Sequence, residues 1–139
     1  QHRLGVLFEK GKGVEPSDAE AVKYYKMAAY SYEGHHLSQY RLGVMFQEGK
    51  GVEQSDAEAF KFYQLAADQG HAAAQYRLGF MFEEGKGVEQ DDDEAAKYYT
   101  MAANQGHAGA QRNLGLLFKE GKGVAQDDAK AAKYFQLAA

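Results

Sequence analysis

The chain has 139 residues, with 16 Lys and Arg against 20 Asp and Glu, a net charge of −4 and no cysteine. This balance argues against nucleic-acid binding, which requires a basic face opposite the phosphates. The lack of cysteine excludes a disulfide framework and cysteine-ligated metal. No apolar run approaches the roughly 20 residues that span a bilayer, so we expect a soluble chain without direct membrane insertion.

One sequence motif occurs four times along the chain. Each copy has Leu-Gly, then phenylalanine three residues after the glycine, then Gly-Lys-Gly-Val. Two of the three intervals between these leucines are 36 residues and the first is 38. A fixed period of this size predicts a stacked array in which each copy packs on its neighbours. We divide this single array into residues 1–38, 39–74, 75–110 and 111–139.

The first copy carries two extra residues within positions 30–36, because Ala29 to Gln39 is ten steps and the later copies have eight. Gln1 falls at the position of Gln39, so the first copy starts without its first helical turn. The fourth copy stops just after its alanine pair. The pattern predicts that the chain is a piece of a longer protein, which leaves the compartment open.

The first half of each copy is predicted to be a helix. In the second copy Leu42, Met45 and Phe46 have the i, i+3, i+4 spacing of one helical face, over about residues 37–48. Gly43 interrupts this helix at a cost of about 1 kcal/mol relative to alanine. A glycine at this position in all four copies predicts that the backbone of the following helix crosses there.

A turn and a second helix follow. Gly49 supplies the left-handed residue that closes the first helix. Ser55 and Glu58 have the spacing of a capping box, which the fourth copy breaks with Lys130. The second helix is predicted to end near Asp68. Hairpins of this kind in tandem predict an all-α fold, a right-handed α/α superhelix or solenoid of antiparallel helix pairs.

The pattern Ala-Gln-x-x-Leu-Gly-x-x-Phe-x-x-Gly-x-Gly-Val, followed by Lys-Tyr-Tyr-x-x-Ala-Ala-x-x-Gly-His, resembles the Sel-one-like repeat family within the tetratricopeptide-like superfamily. The resemblance implies an adaptor that holds partner proteins together. We expect no cofactor. The chain departs from the cysteine-rich bacterial branch of the family because it has no cysteine.

In related superhelices the first helix of each pair lines the concave surface. Residues opposite the Leu-Gly-Phe seam are therefore expected to bind a protein or peptide segment. They form three columns: His2, Tyr40, Tyr76 and Arg112; Val6, Val44, Phe80 and Leu116; Glu9, Gln47, Glu83 and Lys119. The alternative for the Val, Phe and Leu column is that it belongs to the core shared by neighbouring copies.

Arg3, Arg41 and Arg77 form a further column that is suited to clamping a partner carboxylate. The alternative is that each arginine pairs with a glutamate of the neighbouring copy. In that case charge reversal would cost stability rather than binding. From these columns we predict the following contact residues: Tyr40, Arg41, Val44, Gln47, Tyr76, Arg77, Phe80, Glu83, Arg112 and Leu116.

A metal-binding site is one interpretation of three recurrent histidines, His35, His71 and His107. Stacked hairpins advance by about 10 Å, whereas each zinc ligand must lie near 2 Å, so they cannot share one ion. We expect them to be loop residues at the start of each first helix, and we predict no metal. The pair His35 and His36 in the insertion marks either a special contact or a local change of superhelix pitch, and we favour the pitch change.

No nucleophile with a placed base is evident, and Gly-Lys-Gly-Val lacks the Ser or Thr of a phosphate-binding loop. We therefore expect an adaptor rather than an enzyme. A purely architectural spacer and, more remotely, a small-molecule hydrolase are the alternatives. An uncapped array also predicts end-to-end association of this piece through Leu117, Tyr134, Phe135 and Leu137.

Overall fold

The structure is a computed structural model that describes residues 1–10, 17–30 and 35–139. Within these ranges it contains eight helices and no strand. The helices are α1 (His2–Lys10), α2 (Asp18–Ala29), α3 (His36–Glu48), α4 (Asp56–Asp68), α5 (Ala72–Glu84), α6 (Asp92–Asn104), α7 (Ala108–Glu120) and α8 (Asp128–Ala138). Odd-numbered helices are the first and even-numbered helices the second of each pair.

Each first helix that is followed by a described turn ends at a glycine in the left-handed conformation. The φ angles are 70° at Gly49, 69° at Gly85 and 71° at Gly121, which confirms the role predicted for these glycines. The equivalent Gly11 lies outside the described residues. Helix α3 starts one residue earlier than predicted, at His36.

The second helix of each hairpin starts at a residue whose side chain caps it, but only one of the two hydrogen bonds of the predicted capping box forms. The Ser55 side chain accepts from the Glu58 N–H at 3.2 Å. The Ser55 N–H, however, donates to the Phe46 carbonyl at 2.9 Å, whereas in a capping box it would donate to the Glu58 side chain. Asp127 accepts the Lys130 N–H at 3.0 Å in the same way, so the missing glutamate of the fourth copy does not remove its cap. Each cap contributes about 1 kcal/mol.

The described chain divides into an N-terminal half, Gln1–Gln69, and a C-terminal half, Gly70–Ala139. In the N-terminal half α1 packs on α2, α3 packs on α4, and α2 contacts α3. In the C-terminal half α5 packs on α6, α7 packs on α8, and α6 contacts α7. Each half is thus a pair of hairpins with the second helix of one hairpin against the first helix of the next.

The recurrent helix glycine faces an aromatic ring, which corrects the prediction of a backbone crossing. A Cβ on Gly43 would lie 2.5 Å from two ring carbons of Tyr63, which is fully buried. Three other copies repeat the arrangement with nearest distances of 2.6, 2.6 and 2.8 Å: Gly5 with Tyr25, Gly79 with Tyr99 and Gly115 with Phe135. The glycine therefore makes room for a side chain of the second helix.

Residues 31–34 of the insertion lie outside the described residues, and the neighbouring Tyr30 is exposed with its ring edge towards Phe62 at 5.8 Å. Leu117 was expected at an uncovered end, but it is 1% exposed and belongs to the core of the C-terminal half. Leu137 is 55% exposed.

Candidate protein-binding face

We call the three predicted columns on α1, α3, α5 and α7 the first-helix face. Its apolar column lies outside the core: Val44 and Phe80 are half-buried and Leu116 is 41% exposed. Leucines of the same helices, by contrast, are fully buried: Leu42, Leu78 and Leu114. This partial exposure favours the binding interpretation over the alternative that the apolar column is shared core.

The aromatic column takes part in packing inside each half. Tyr76 is half-buried and stacks on His107, the residue that precedes α7, with ring centroids 4.6 Å apart. Tyr40 is also half-buried and lies at 5.7 Å from the Tyr63 ring. Arg112 of the fourth copy is exposed. Only part of each tyrosine is thus accessible to another molecule.

The third column is held by hydroxyl groups from the second helices. Tyr25 Oη donates to Glu9 Oε2 at 2.5 Å, and Tyr63 Oη donates to Gln47 Oε1 at 2.8 Å. Burial raises the pKa of Tyr25, and the hydrogen bond to Glu9 raises it further. The carboxylate and the amide of this column are consequently oriented by their own hairpins.

The C-terminal half repeats this contact once and then loses it. Tyr99 Oη donates to Glu83 Oε1 at 2.9 Å, and the pKa of Tyr99 is raised mainly by burial. In the fourth copy Phe135 replaces the tyrosine and Lys119 replaces the glutamate, so neither hydrogen-bonding group is present. Sequence reasoning missed this pair, although the two positions change together in the fourth copy.

Arg41 of the arginine column forms an ion pair inside the N-terminal half. Arg41 Nη1 lies 3.6 Å from Glu9 Oε1, with the two side chains 40% and 28% exposed. This is the predicted alternative, a pair with the glutamate of the preceding copy. In the fourth copy Asn113 takes the arginine position and hydrogen-bonds the Tyr99 hydroxyl. Burial and, to a smaller extent, the positive charge of Arg77 lower the pKa of His107.

The recurrent histidines are the N-cap residues of α3, α5 and α7, which confirms their predicted place at the start of each first helix. His107 Nδ1 accepts from the Ala110 N–H at 3.1 Å, and His35 Nδ1 accepts from the Ser38 N–H at 3.3 Å. Burial lowers the pKa of both imidazoles. Within the described residues, no group of three or more His, Asp or Glu is arranged to hold a metal ion.

A buried glutamine contact was also missed from the sequence. Gln39 is 3% exposed; it donates to the Ala29 carbonyl at 3.3 Å and accepts from Gln69 at 2.5 Å. In the C-terminal half Gln111 donates to the Ala103 carbonyl at 3.2 Å. The glutamine therefore ties α3 to the end of α2 and α7 to the end of α6. Its recurrence on an otherwise apolar helix face was the available signal.

Comparison with known proteins decides the family. The Sel1 repeat profile matches residues 1–31, 36–71, 72–107 and 108–139. The chain belongs to the Sel1 repeat family. This confirms the resemblance found in the sequence, and such repeats typically mediate protein–protein interactions. No curated protein sequence matches the chain significantly.

Several solved structures are similar to this Sel1 repeat chain. A protective antigen of uropathogenic Escherichia coli with an SLR fold is 37% identical, with a TM-score of 0.94 over 99% of this chain and 29% of that one. A Sel1 repeat protein from Oxalobacter formigenes is 34% identical, with a TM-score of 0.92 over 99% of this chain and 56% of that one. The chain thus spans less than two thirds of either protein.

A more distant relative is the cysteine-rich protein B of Helicobacter pylori. It is 26% identical with a TM-score of 0.64, over 84% of this chain and 87% of that one. Together the matches confirm the predicted fold class, an all-α helical repeat solenoid. Among the helices that the structure describes, none has the length and apolar character required to cross a membrane.

Proposed function

We propose that the chain is a non-enzymatic adaptor that binds a protein or peptide segment on its first-helix face. One observation supports this most strongly. The apolar column of Val44, Phe80 and Leu116 stays half-buried or exposed, while leucines on the same helices are fully buried. These helices therefore have a second apolar strip that the core of each half does not use.

The chemistry around this strip suits a protein partner. Phe80 and Leu116 lie at equivalent positions of α5 and α7, the first helices of the C-terminal half, and Lys86 Nζ lies 5.6 Å from the centre of the Phe80 ring. Polar and charged side chains flank them, with Glu83 after Phe80 and Arg112 before Leu116. An apolar centre with a polar rim is the usual anatomy of a protein interface.

The remaining predicted residues take supporting roles in this proposal. Tyr40 and Tyr76 offer the accessible part of rings that also pack inside their halves, and aromatic side chains of this kind often dominate binding energy. Gln47 is oriented by Tyr63. Arg41 and Arg77 are proposed to lie at the rim, where charged side chains influence the rate and selectivity of association.

An architectural spacer remains the second candidate, and the stacking of Tyr76 on His107 supports it because it uses a face residue for packing. A spacer has no use for an open apolar column, whereas an adaptor does. The two candidates therefore differ in whether the column binds anything.

Selection from a random peptide library on the immobilised chain tests the proposal. Enriched peptides are then measured against the double variant Phe80→Ala, Leu116→Ala and against Met101→Ala. Met101 is the matched control, since it is a 37% exposed apolar residue on the second helix α6. The adaptor proposal expects the double variant to weaken binding about tenfold or more and the control to leave it unchanged. Equal binding to all three proteins, or no enrichment, contradicts it.

A further inference from the structure

Helix α7 carries an exposed strip that differs from the equivalent strips of the other first helices. Arg112, Leu116 and Lys119 are all exposed and are spaced i, i+4 and i+7, so they lie along one side of the helix. With a rise of 1.5 Å per residue, the two cations are separated by about 10 Å along the axis. The strip therefore reads basic, apolar, basic.

The basic character comes from changes that are confined to the fourth copy. At the corresponding positions of α5 stand Tyr76 and Glu83, both half-buried, with the glutamate bound by the Tyr99 hydroxyl. In α7 the glutamate position holds Lys119, and the facing second helix supplies Phe135. Because Phe135 has no hydroxyl group, nothing equivalent anchors Lys119.

Both cations are also left without an acidic partner in the parts of the chain that the structure describes. The lysine nearby on the turn, Lys122, is paired with Glu120 at 3.2 Å. Among residues 1–10, 17–30 and 35–139, no ion pair or hydrogen bond includes the side chain of Arg112 or Lys119. In the 139-residue chain both charges are therefore available to an external anion.

We infer that this α7 strip binds an acidic protein segment in which carboxylates flank an apolar side chain. The apolar side chain would contact Leu116, and the carboxylates would pair with Arg112 and Lys119. An amphipathic helix with acidic residues at i and i+7 and an apolar residue at i+4 has the same axial spacing as the strip. This inference rests on the proposed adaptor function and names the chemistry of its partner.

Charge complementarity favours a protein segment over a nucleic acid. The chain as a whole has a net charge of −4, so a long polyanion that extends beyond the strip would meet repulsion. Only a short acidic segment gains from two cations without this cost.

The test is an NMR titration of the isotopically labelled chain with a helical alanine-based peptide. The peptide has one Leu, with Glu four residues before it and another three residues after it. We expect saturable shifts of the α7 backbone amides that weaken as salt rises. The double variant Arg112→Glu, Lys119→Glu should weaken binding about tenfold or more. Lys133→Glu, the same charge reversal at an exposed position of α8, should leave binding unchanged.

Two control ligands complete the experiment. A peptide with Gln in place of both Glu is expected to lose most of the affinity, and heparin is expected to bind no better than the acidic peptide. The inference is overturned if the acidic peptide gives no α7 shifts, if the Gln peptide binds equally well, if the double variant binds as tightly as the wild type, or if heparin binds more tightly. The adaptor proposal survives such a result if library peptides without acidic residues still require Phe80 and Leu116.

Discussion

The ring of Tyr99 lies directly on the backbone of Gly79. A Cβ added to Gly79 would be 2.6 Å from Cδ1 of this ring, and Tyr99 is fully buried with its hydroxyl bonded to Glu83. The same geometry joins glycine to tyrosine in the first two copies. The contact sets how closely the two helices of a hairpin approach.

Gly79→Ala is therefore expected to destabilise the fold by up to about 2 kcal/mol. Overpacking costs about 1–3 kcal/mol, and the helix propensity of alanine returns up to about 1 kcal/mol. Gly115→Ala is the matched comparison, because its neighbour Phe135 is only half-buried and can shift. Urea unfolding should show the smaller loss for Gly115→Ala. An equal or larger loss there would show that the buried tyrosine is not the cause.

Tyr99→Phe removes a buried hydroxyl that donates to Glu83 and is bonded by Asn113. We expect a loss of about 1 kcal/mol in the free energy of unfolding. Tyr134→Phe serves as the control, since Tyr134 is partly exposed. Both variants are measured by chemical denaturation at neutral pH. A loss of the same size at both positions would argue against a specific contribution of the Tyr99 hydrogen bonds.

Alkaline pH should destabilise the chain through the same hydroxyl group. Burial raises the pKa of Tyr99 above its ordinary value of 10.0, so the folded state holds this proton more tightly than the unfolded state. The contribution is complete below pH 10 and is lost as pH rises further. Tyr99→Phe should therefore reduce the slope of stability against pH above 10. An unchanged slope would refute the assignment.

Acidification should act through His107. Its Nδ1 accepts the Ala110 N–H, and burial lowers its pKa below 6.5, so the neutral imidazole is favoured in the folded state. Its stabilising effect is complete above pH 6.5 and is lost as pH falls through the lower folded value. His107→Asn keeps a capping side chain that does not titrate. Unfolding between pH 7 and 5 should show a shallower slope for this variant; parallel curves would contradict the assignment.

The end-to-end association expected from the sequence stays a prediction for the 139-residue chain. Ala132 on α8 occupies the position that Ala96 occupies on α6. Ala96 is buried, at 4% exposed, whereas Ala132 is exposed and could contact another copy of the chain. Ala132→Glu should reduce any concentration-dependent association in sedimentation velocity. Ala129→Glu, at another exposed position of α8, should leave it unchanged. A chain that stays monomeric at millimolar concentration would contradict the prediction.

The helices and turns could be predicted because each depends on local chemistry repeated four times. The spacing of Leu42, Met45 and Phe46 defined a helix, and Gly49 marked its end. The identity of the group facing Gly43 could not be predicted, since it depends on which residue of the second helix turns inward. Knowledge of helix packing, rather than of periodicity, is needed to place Tyr63 there.

The candidate site was predictable as a face but not as a set of equally accessible residues. Sequence spacing placed Phe80 and Glu83 on one side of α5, and it treated them alike. The structure distinguishes them, because a hydroxyl from another helix binds Glu83 whereas Phe80 remains half-buried beside it. Such contacts between helices leave no mark in the spacing of a single helix.

The most direct test of the adaptor proposal uses a photoreactive phenylalanine analogue in the protein within its own cells. The analogue is placed at position 80 or 116 on the first-helix face, and at 101 or 137 on the second helices as controls. We predict that positions 80 and 116 cross-link to one and the same protein and that positions 101 and 137 do not. Cross-links from the second helices alone, or none from positions 80 and 116, would contradict the proposal.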